Sequence, residues 1–118
     1  VPVALSDLAA TIVALARAEP LPKSKARSLV DLIGKPESAS ARPIYLYADD
    51  TTGAVHIGAR AVIEGRFKYV RDVTTNVDQL FDLDADPGES ENLRRSNPDV
   101  RAHLARQLDG WLAFTTMP

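Results

Sequence analysis

Leu80-Phe81-Asp82-Leu83-Asp84-Ala85-Asp86-Pro87-Gly88-Glu89-Ser90-Glu91-Asn92-Leu93 is the stretch whose reading decides the fold. Leu80, Phe81 and Leu83 read as a short strand that breaks at Asp86-Pro87-Gly88, where proline fixes φ and glycine accepts the turn. An acidic, asparagine-containing segment then leads to a helix starting near Pro98. Asp82, Asp84 and Asp86 also match the first, third and fifth positions of an EF-hand loop. The rest of that loop fails, because Pro87 stands where glycine is required, Gly88 comes one place late and Leu93 occupies the bidentate glutamate position. Phe81 and Leu83 alternate with the acids as on a strand with one solvated face. The expectation is a strand end and a turn bearing solvated carboxylates, with no metal ligand assigned.

Downstream, Asn97 reads as an N-cap and Pro98 as the first helical residue, with Asp99 at the positive end of the helix. Val100, Leu104, Leu108, Trp111 and Leu112 fall on one stripe, a core face that covers one side of a sheet. Upstream, residues 43–48 (PIYLYA) read as a strand and Asp49-Asp50-Thr51-Thr52-Gly53 as a turn. Val55 to Ile63 and Arg66 to Arg71 form a hairpin about Glu64-Gly65, which sets Val62 opposite Phe67 and Arg60 opposite Tyr69. The strand 79–83 completes an antiparallel set of about four.

At the start, Ser6 as N-cap, Asp7 in the first turn and Leu8, Ile12, Leu15 and Ala16 at helical spacing predict a helix from residue 6. It stops before Glu19-Pro20. Residues 20–27 read as a polar connector, Ser28 as the cap of a single turn closed by Gly34, and residues 35–42 as a loop. The fold class is α+β: an antiparallel sheet of about four strands, a long C-terminal helix packed across it, and an N-terminal helix.

Composition bounds the function. The 118 residues suit a modest core, and 45% apolar with 25% charged residues are ordinary globular values. A net charge of −2 gives no electrostatic case for nucleic acid or an acidic membrane. The absence of cysteine excludes disulfides, a thiolate nucleophile and Cys-based zinc or iron–sulfur sites. No apolar run approaches the roughly 18 residues of a membrane span. Val1-Pro2-Val3-Ala4-Leu5 lacks a basic leader region and an initiator Met, a start expected of a piece cut from something longer.

These residues carry a resemblance. Glu64-Gly65-Arg66-Phe67-Lys68-Tyr69-Val70, the stretch Leu80 to Leu93 and the Pro-initiated helix ending in Trp111-Leu112 resemble the C-terminal end of sulfatases. In that family a hairpin (D/E)-G-R-(W/Y/F)-K-(L/Y)-(I/V) precedes E-L-(Y/F)-D-L-x-x-D-P-x-E-x-x-N-L. Gln79 stands here in place of the usual Glu. Val1-Pro2-Val3 with Asp7-Leu8-Ala9-Ala10-Thr11 resembles V-P-V…D-L-x-P-T, with Ala10 replacing Pro. Arg27-Ser28-Leu29 resembles G-R-S-L, with Ala26 replacing Gly.

The resemblance implies that residues 1–34 link to a missing catalytic domain and residues 35–118 form a C-terminal subdomain. Sulfatases use a formylglycine made in a Cys/Ser-x-Pro-x-Arg motif and a calcium ion held by Asp and Asn. Both are implied for the parent enzyme and lie upstream of this chain. Ser96-Asn97-Pro98-Asp99-Val100-Arg101 is the near match here, with its Arg one residue late, and it reads as a helix start. No catalytic, cofactor-binding or metal residue is therefore assigned. C-terminal subdomains of the family border the substrate cleft, which makes His56, Arg60 and the turn from Asp49 to Thr52 candidates for its wall. His56 nevertheless reads as a solvated strand histidine, His103 as a helix flank and Lys68 as an ion-pair partner. The expected partners are the missing N-terminal domain and, for the chain alone, a second copy. Family habit favours an exported or periplasmic enzyme. Two alternatives stand beside this: a phosphonate or phosphate monoester hydrolase parent, and a free-standing interaction module.

Overall fold

The computed structural model describes residues 3–20, 22, 24–33, 35, 42–50 and 57–115. These fall into two compact units, Val1–Ala41 and Arg42–Pro118. The first holds helix α1 (Leu5–Leu15) and a 3₁₀ turn (Val30–Leu32); the second holds β1 (Ile44–Asp50), β2 (Ile57–Glu64), β3 (Phe67–Asp72), β4 (Asp78–Asp82) and helix α2 (Pro98–Thr115). The α+β class and the four-stranded antiparallel sheet stand as expected.

In the second unit the strands lie in the order β1-β2-β3-β4, each antiparallel to the next. Short connections between consecutive strands produce this meander. The β2–β3 hairpin departs from expectation: Glu64 pairs with Phe67, so the turn is Gly65-Arg66. Gly65 has φ +60° and takes the first turn position, where a hairpin requires a left-handed residue. Val62 consequently faces Tyr69, and Arg60 faces Arg71. The slip is two residues along the partner, so every side chain keeps its face. Asp49 and Asp50 belong to β1 rather than to a turn. Residues 51–56, including His56 and the rest of that turn, lie outside the described residues, as does Gly34.

Alternation sends Tyr45, Val62, Tyr69 and Leu80 to one face of the sheet, and α2 covers them. The core consists of Val62, Tyr69, Leu80, Leu104 and Leu108, with Phe67, Leu93, Val100 and Trp111 packed against it. The predicted stripe on α2 is thus the buried one. Each fully buried leucine is worth roughly 1.5–3 kcal/mol. Pro98 opens α2, and the Asn97 carbonyl accepts the Arg101 N–H at 3.1 Å, which places Asn97 at the cap.

In the first unit the cap of α1 is Ala4 rather than Ser6. Asp7 takes over the capping work: its carboxylate accepts the Ala4 N–H at 3.0 Å while its own N–H donates to the Ala4 carbonyl at 2.9 Å. Such a reach-back satisfies a donor that the helix cannot. The helix ends before Glu19-Pro20 is reached. Arg17 adopts φ +52°, the Ala18 N–H reaches the Val13 carbonyl and the Arg17 N–H reaches the Ala14 carbonyl. That pair of bonds is a Schellman closure, with arginine where glycine is usual. The buried residues of α1 are Asp7 and Thr11, whereas Leu5, Leu8, Ile12 and Leu15 are 86, 53, 58 and 63% exposed.

Candidate functional site

The acidic stretch after β4 forms a hydrogen-bonded knot. The Asp82 carboxylate takes both Arg66 Nε and an Arg66 terminal nitrogen, and it also accepts the N–H groups of Asp84 and Ala85. The Arg66 bond holds its carboxyl below the usual carboxylate range against the opposing push of burial. Asp86 accepts the Glu91 N–H at 2.8 Å and the Ser90 hydroxyl at 3.0 Å. Asn92 Oδ1 accepts the Leu80 N–H at 3.1 Å, and the Leu93 N–H donates to the Leu80 carbonyl at 2.8 Å. The chain at 92–93 therefore pairs with the free edge of β4 and protects it. Glu89, at φ +53°, is gripped by Lys68, whose Nζ lies 2.7 Å from both carboxylate oxygens.

The carboxylates of two of these acids are already engaged. Asp82 and Asp86 direct their oxygens to Arg66, Ser90 and backbone N–H groups. Among the described residues no set of three or more His, Asp or Glu can hold a metal ion. The Ser96 run is equally structural: the Ser96 hydroxyl donates to the Leu93 carbonyl at 3.2 Å, Pro98 starts α2 and Arg101 is bound to Asp78.

The remaining candidates are dispersed. Lys68 is the ion-pair partner it reads as in the sequence. Arg60 Nη1 lies 2.6 Å from Asp49 Oδ1, and its guanidinium sits 5.8 Å from the exposed Tyr47 ring. His103 Nε2 meets Glu64 Oε2 at 2.6 Å, tying α2 to the end of β2.

One cluster escaped the sequence reading. Arg71 Nε donates to the Tyr69 hydroxyl at 3.1 Å, and that hydroxyl donates to Asp78 Oδ2 at 3.1 Å. Arg101 Nε donates to the same Asp78 oxygen at 2.6 Å, and Arg94 Nη1 lies 3.6 Å from Asp78 Oδ1. Burial works to raise the Asp78 carboxyl, but Arg101, Tyr69 and Arg94 together bring it below its ordinary value. Burial pushes the Tyr69 phenol up. The signal was the β3–β4 register, which sets Asp78 opposite Arg71 and makes Asp78 the first residue of β4 rather than the end of the connection before it.

No protein-family model matches the sequence, and no curated protein matches it. Solved structures do. A 2-O GAG sulfatase superimposes with TM-score 0.74 and 24% identity over 87% of this chain and 23% of its own. A protein of Bacteroides thetaiotaomicron VPI-5482 assigned as a sulfatase gives 0.75 and 24% over 87% and 23%. A protein in complex with its substrate D-glucosamine-2-N,6-O-disulfate gives 0.72 and 17% over 88% and 22%. The chain spans about a quarter of each. No helix among the described residues is long and apolar enough to cross a membrane. The fold of this chain is the one found over 23% of a sulfatase chain.

Proposed function

We propose that this chain is the C-terminal part of a sulfatase that acts on sulfated carbohydrate, completing the enzyme's fold and bordering its substrate cleft. The nucleophile and calcium belong, on this reading, to the remainder of the parent chain. The observation that carries it is the superposition on sulfatases over 87% of the chain. The residues of the sulfatase-like motif support it, since Arg66, Lys68, Asp82, Asp86, Glu89 and Asn92 each make a hydrogen bond that holds the β4 knot. The sugar substrate class comes from the 2-O GAG sulfatase and from the glucosamine disulfate complex.

The same reading gives the exposed apolar side of α1 to the missing catalytic domain and places the enzyme in the periplasm or outside the cell. The test is the gene together with an assay. A Cys/Ser-x-Pro-x-Arg motif with acidic ligands near it is expected upstream of the Val1 codon. The longer polypeptide is expected to release sulfate from a sulfated sugar, and the 118-residue chain none from an aryl sulfate, with or without calcium. Preferential release of phosphate from a monoester would instead make the parent a phosphoesterase.

A second reading, an interaction module, is favoured by the exposure of Leu5, Leu8, Ile12 and Leu15. It becomes the better one if a start codon immediately precedes Val1. The isolated chain is then expected to self-associate through that helix, and a monomeric mass in sedimentation at high concentration would count against it.

A further inference from the structure

A cavity of about 270 Å³ opens between the first half of α2 and the turn joining β3 to β4, lined by Tyr69, Arg71, Asn76, Asp78 and Arg101 and by alanines of α2. Its volume lies just under the usual range of small-molecule pockets, about 300–1,000 Å³, so it suits one functional group and not an oligosaccharide.

The donors around it are only partly used. Arg101 gives Nε to Asp78, and Arg71 gives Nε to Tyr69 and Nη1 to Asp109. The two terminal nitrogens of Arg101, Nη2 of Arg71 and the Asn76 side-chain amide have no hydrogen-bond partner among the described residues. Asn76 is held at φ +56° by the turn, so its amide is presented by a fixed backbone. The Asp78 carboxylate, which lines the cavity and would repel an anion, is already met by Arg101, Arg94 and the Tyr69 hydroxyl. Three guanidiniums face two carboxylates, Asp78 and Asp109, which leaves the cluster positive.

We infer that this cavity binds a single oxyanion of the sulfate type, gripped by the free ends of Arg71 and Arg101 and by the Asn76 amide. A planar guanidinium suits such a group: the two terminal nitrogens of Arg101 offer parallel N–H donors to two of its oxygens, and Nη2 of Arg71 adds a donor to a third. The inference rests on the cavity alone and is independent of the sulfatase reading.

The experiment is a ¹⁵N NMR titration of the 118-residue chain with sodium sulfate and with glucosamine 6-sulfate, using sodium chloride as the ionic-strength control. Saturable shifts of the Asn76 amide and Arg101 Nε in the millimolar range are expected. Asn76→Gly keeps the left-handed turn and removes the amide. Arg101→Lys keeps a charge beside Asp78 and removes the fork. Each is expected to weaken binding about tenfold, the loss of one charge-assisted hydrogen bond. Saturation by both ligands supports the inference, and saturation by the ester alone supports it while assigning the group to a sugar. Shifts no different from those in chloride overturn it. So does sulfate binding that is unchanged in both variants when their spectra remain native.

Discussion

The Asp7 carboxylate accepts the backbone N–H of Arg27 at 2.9 Å, across twenty residues of chain. One helical turn on, the Thr11 hydroxyl accepts the Leu29 N–H at 2.8 Å and donates to the Asp7 carbonyl at 2.6 Å. The two motif fragments that look separate in the sequence, Asp7-to-Thr11 and Arg27-Ser28-Leu29, are one hydrogen-bonded unit. This explains why the buried residues of α1 are polar and its apolar ones exposed.

Asp7→Ala removes the acceptor for both the Ala4 and Arg27 N–H groups. A buried donor left unpaired costs roughly 1–3 kcal/mol, and Asp7→Asn, which retains one oxygen, is expected to lose less. The direct readout is amide exchange at Arg27 and Leu29, which accelerates strongly in Asp7→Ala. Unchanged protection at Arg27 would show that the clamp holds nothing.

What was legible in the sequence follows from periodicity and turn chemistry. Val100, Leu104, Leu108 and Trp111 repeat at helical spacing, so the helix face that packs on the sheet could be read directly. The pairing across the hairpin could not, because Glu64-Gly65 and Gly65-Arg66 are equally good two-residue turns until Gly65 is known to hold φ +60° at the first position. The Asp78 cluster was hidden because Asp78 read as the end of a connection, whereas it is the first residue of β4 and pairs with Arg71. The polar anchoring of α1 was not legible, because apolar spacing marks a face without saying what covers it, and here a carboxylate and a hydroxyl hold the connector.

Arg17 at φ +52° closes α1 in a conformation that side chains with a Cβ resist. Arg17→Gly relieves that resistance while keeping both closing bonds, which come from backbone. It is expected to stabilise the first unit by about 0.5–1 kcal/mol, reduced by glycine's greater freedom in the unfolded chain. Slower amide exchange at Ala16 and Ala18 checks this, and faster exchange would mean that the arginine side chain itself supports the turn.

The acid response centres on Asp82, whose carboxyl is held low chiefly by Arg66, and on Asp72, Asp78 and Asp86, which are also lowered. The unfolded values lie near 3.9. A depressed folded value means that the unfolded chain binds more protons in acid. The stabilisation is therefore complete above about pH 5 and drains away as pH falls through the folded values. Arg66→Gln is expected to lower the melting temperature at neutral pH, with the gap to wild type closing in acid as pH falls through the lowered Asp82 value. A gap that stays constant with pH would place the Arg66 contribution in packing over Phe67, where its guanidinium lies 5.3 Å from the ring.

Tyr45 and Trp111 fasten the end of α2 to the edge strand: their rings lie 5.0 Å apart between centroids at an interplanar angle of 2°, an offset stack. Leu104 and Leu108 fix the middle of the helix, but toward its end only partly buried contacts remain, so the stack decides whether the last turns stay docked. Trp111→Ala is expected to cost about 2–4 kcal/mol, somewhat less than a fully buried tryptophan would. Tyr45→Ala leaves Trp111, the only tryptophan in the chain, as a probe, and its emission is expected to move to the red as water reaches the ring. The interaction itself is isolated by a double-mutant cycle of Tyr45→Leu and Trp111→Leu, with a coupling of about 0.5–1.5 kcal/mol expected for stacked rings. A coupling near zero would mean that the two rings only fill space side by side and that the Tyr45 hydroxyl contact to Gln107, at 3.3 Å, carries the docking instead.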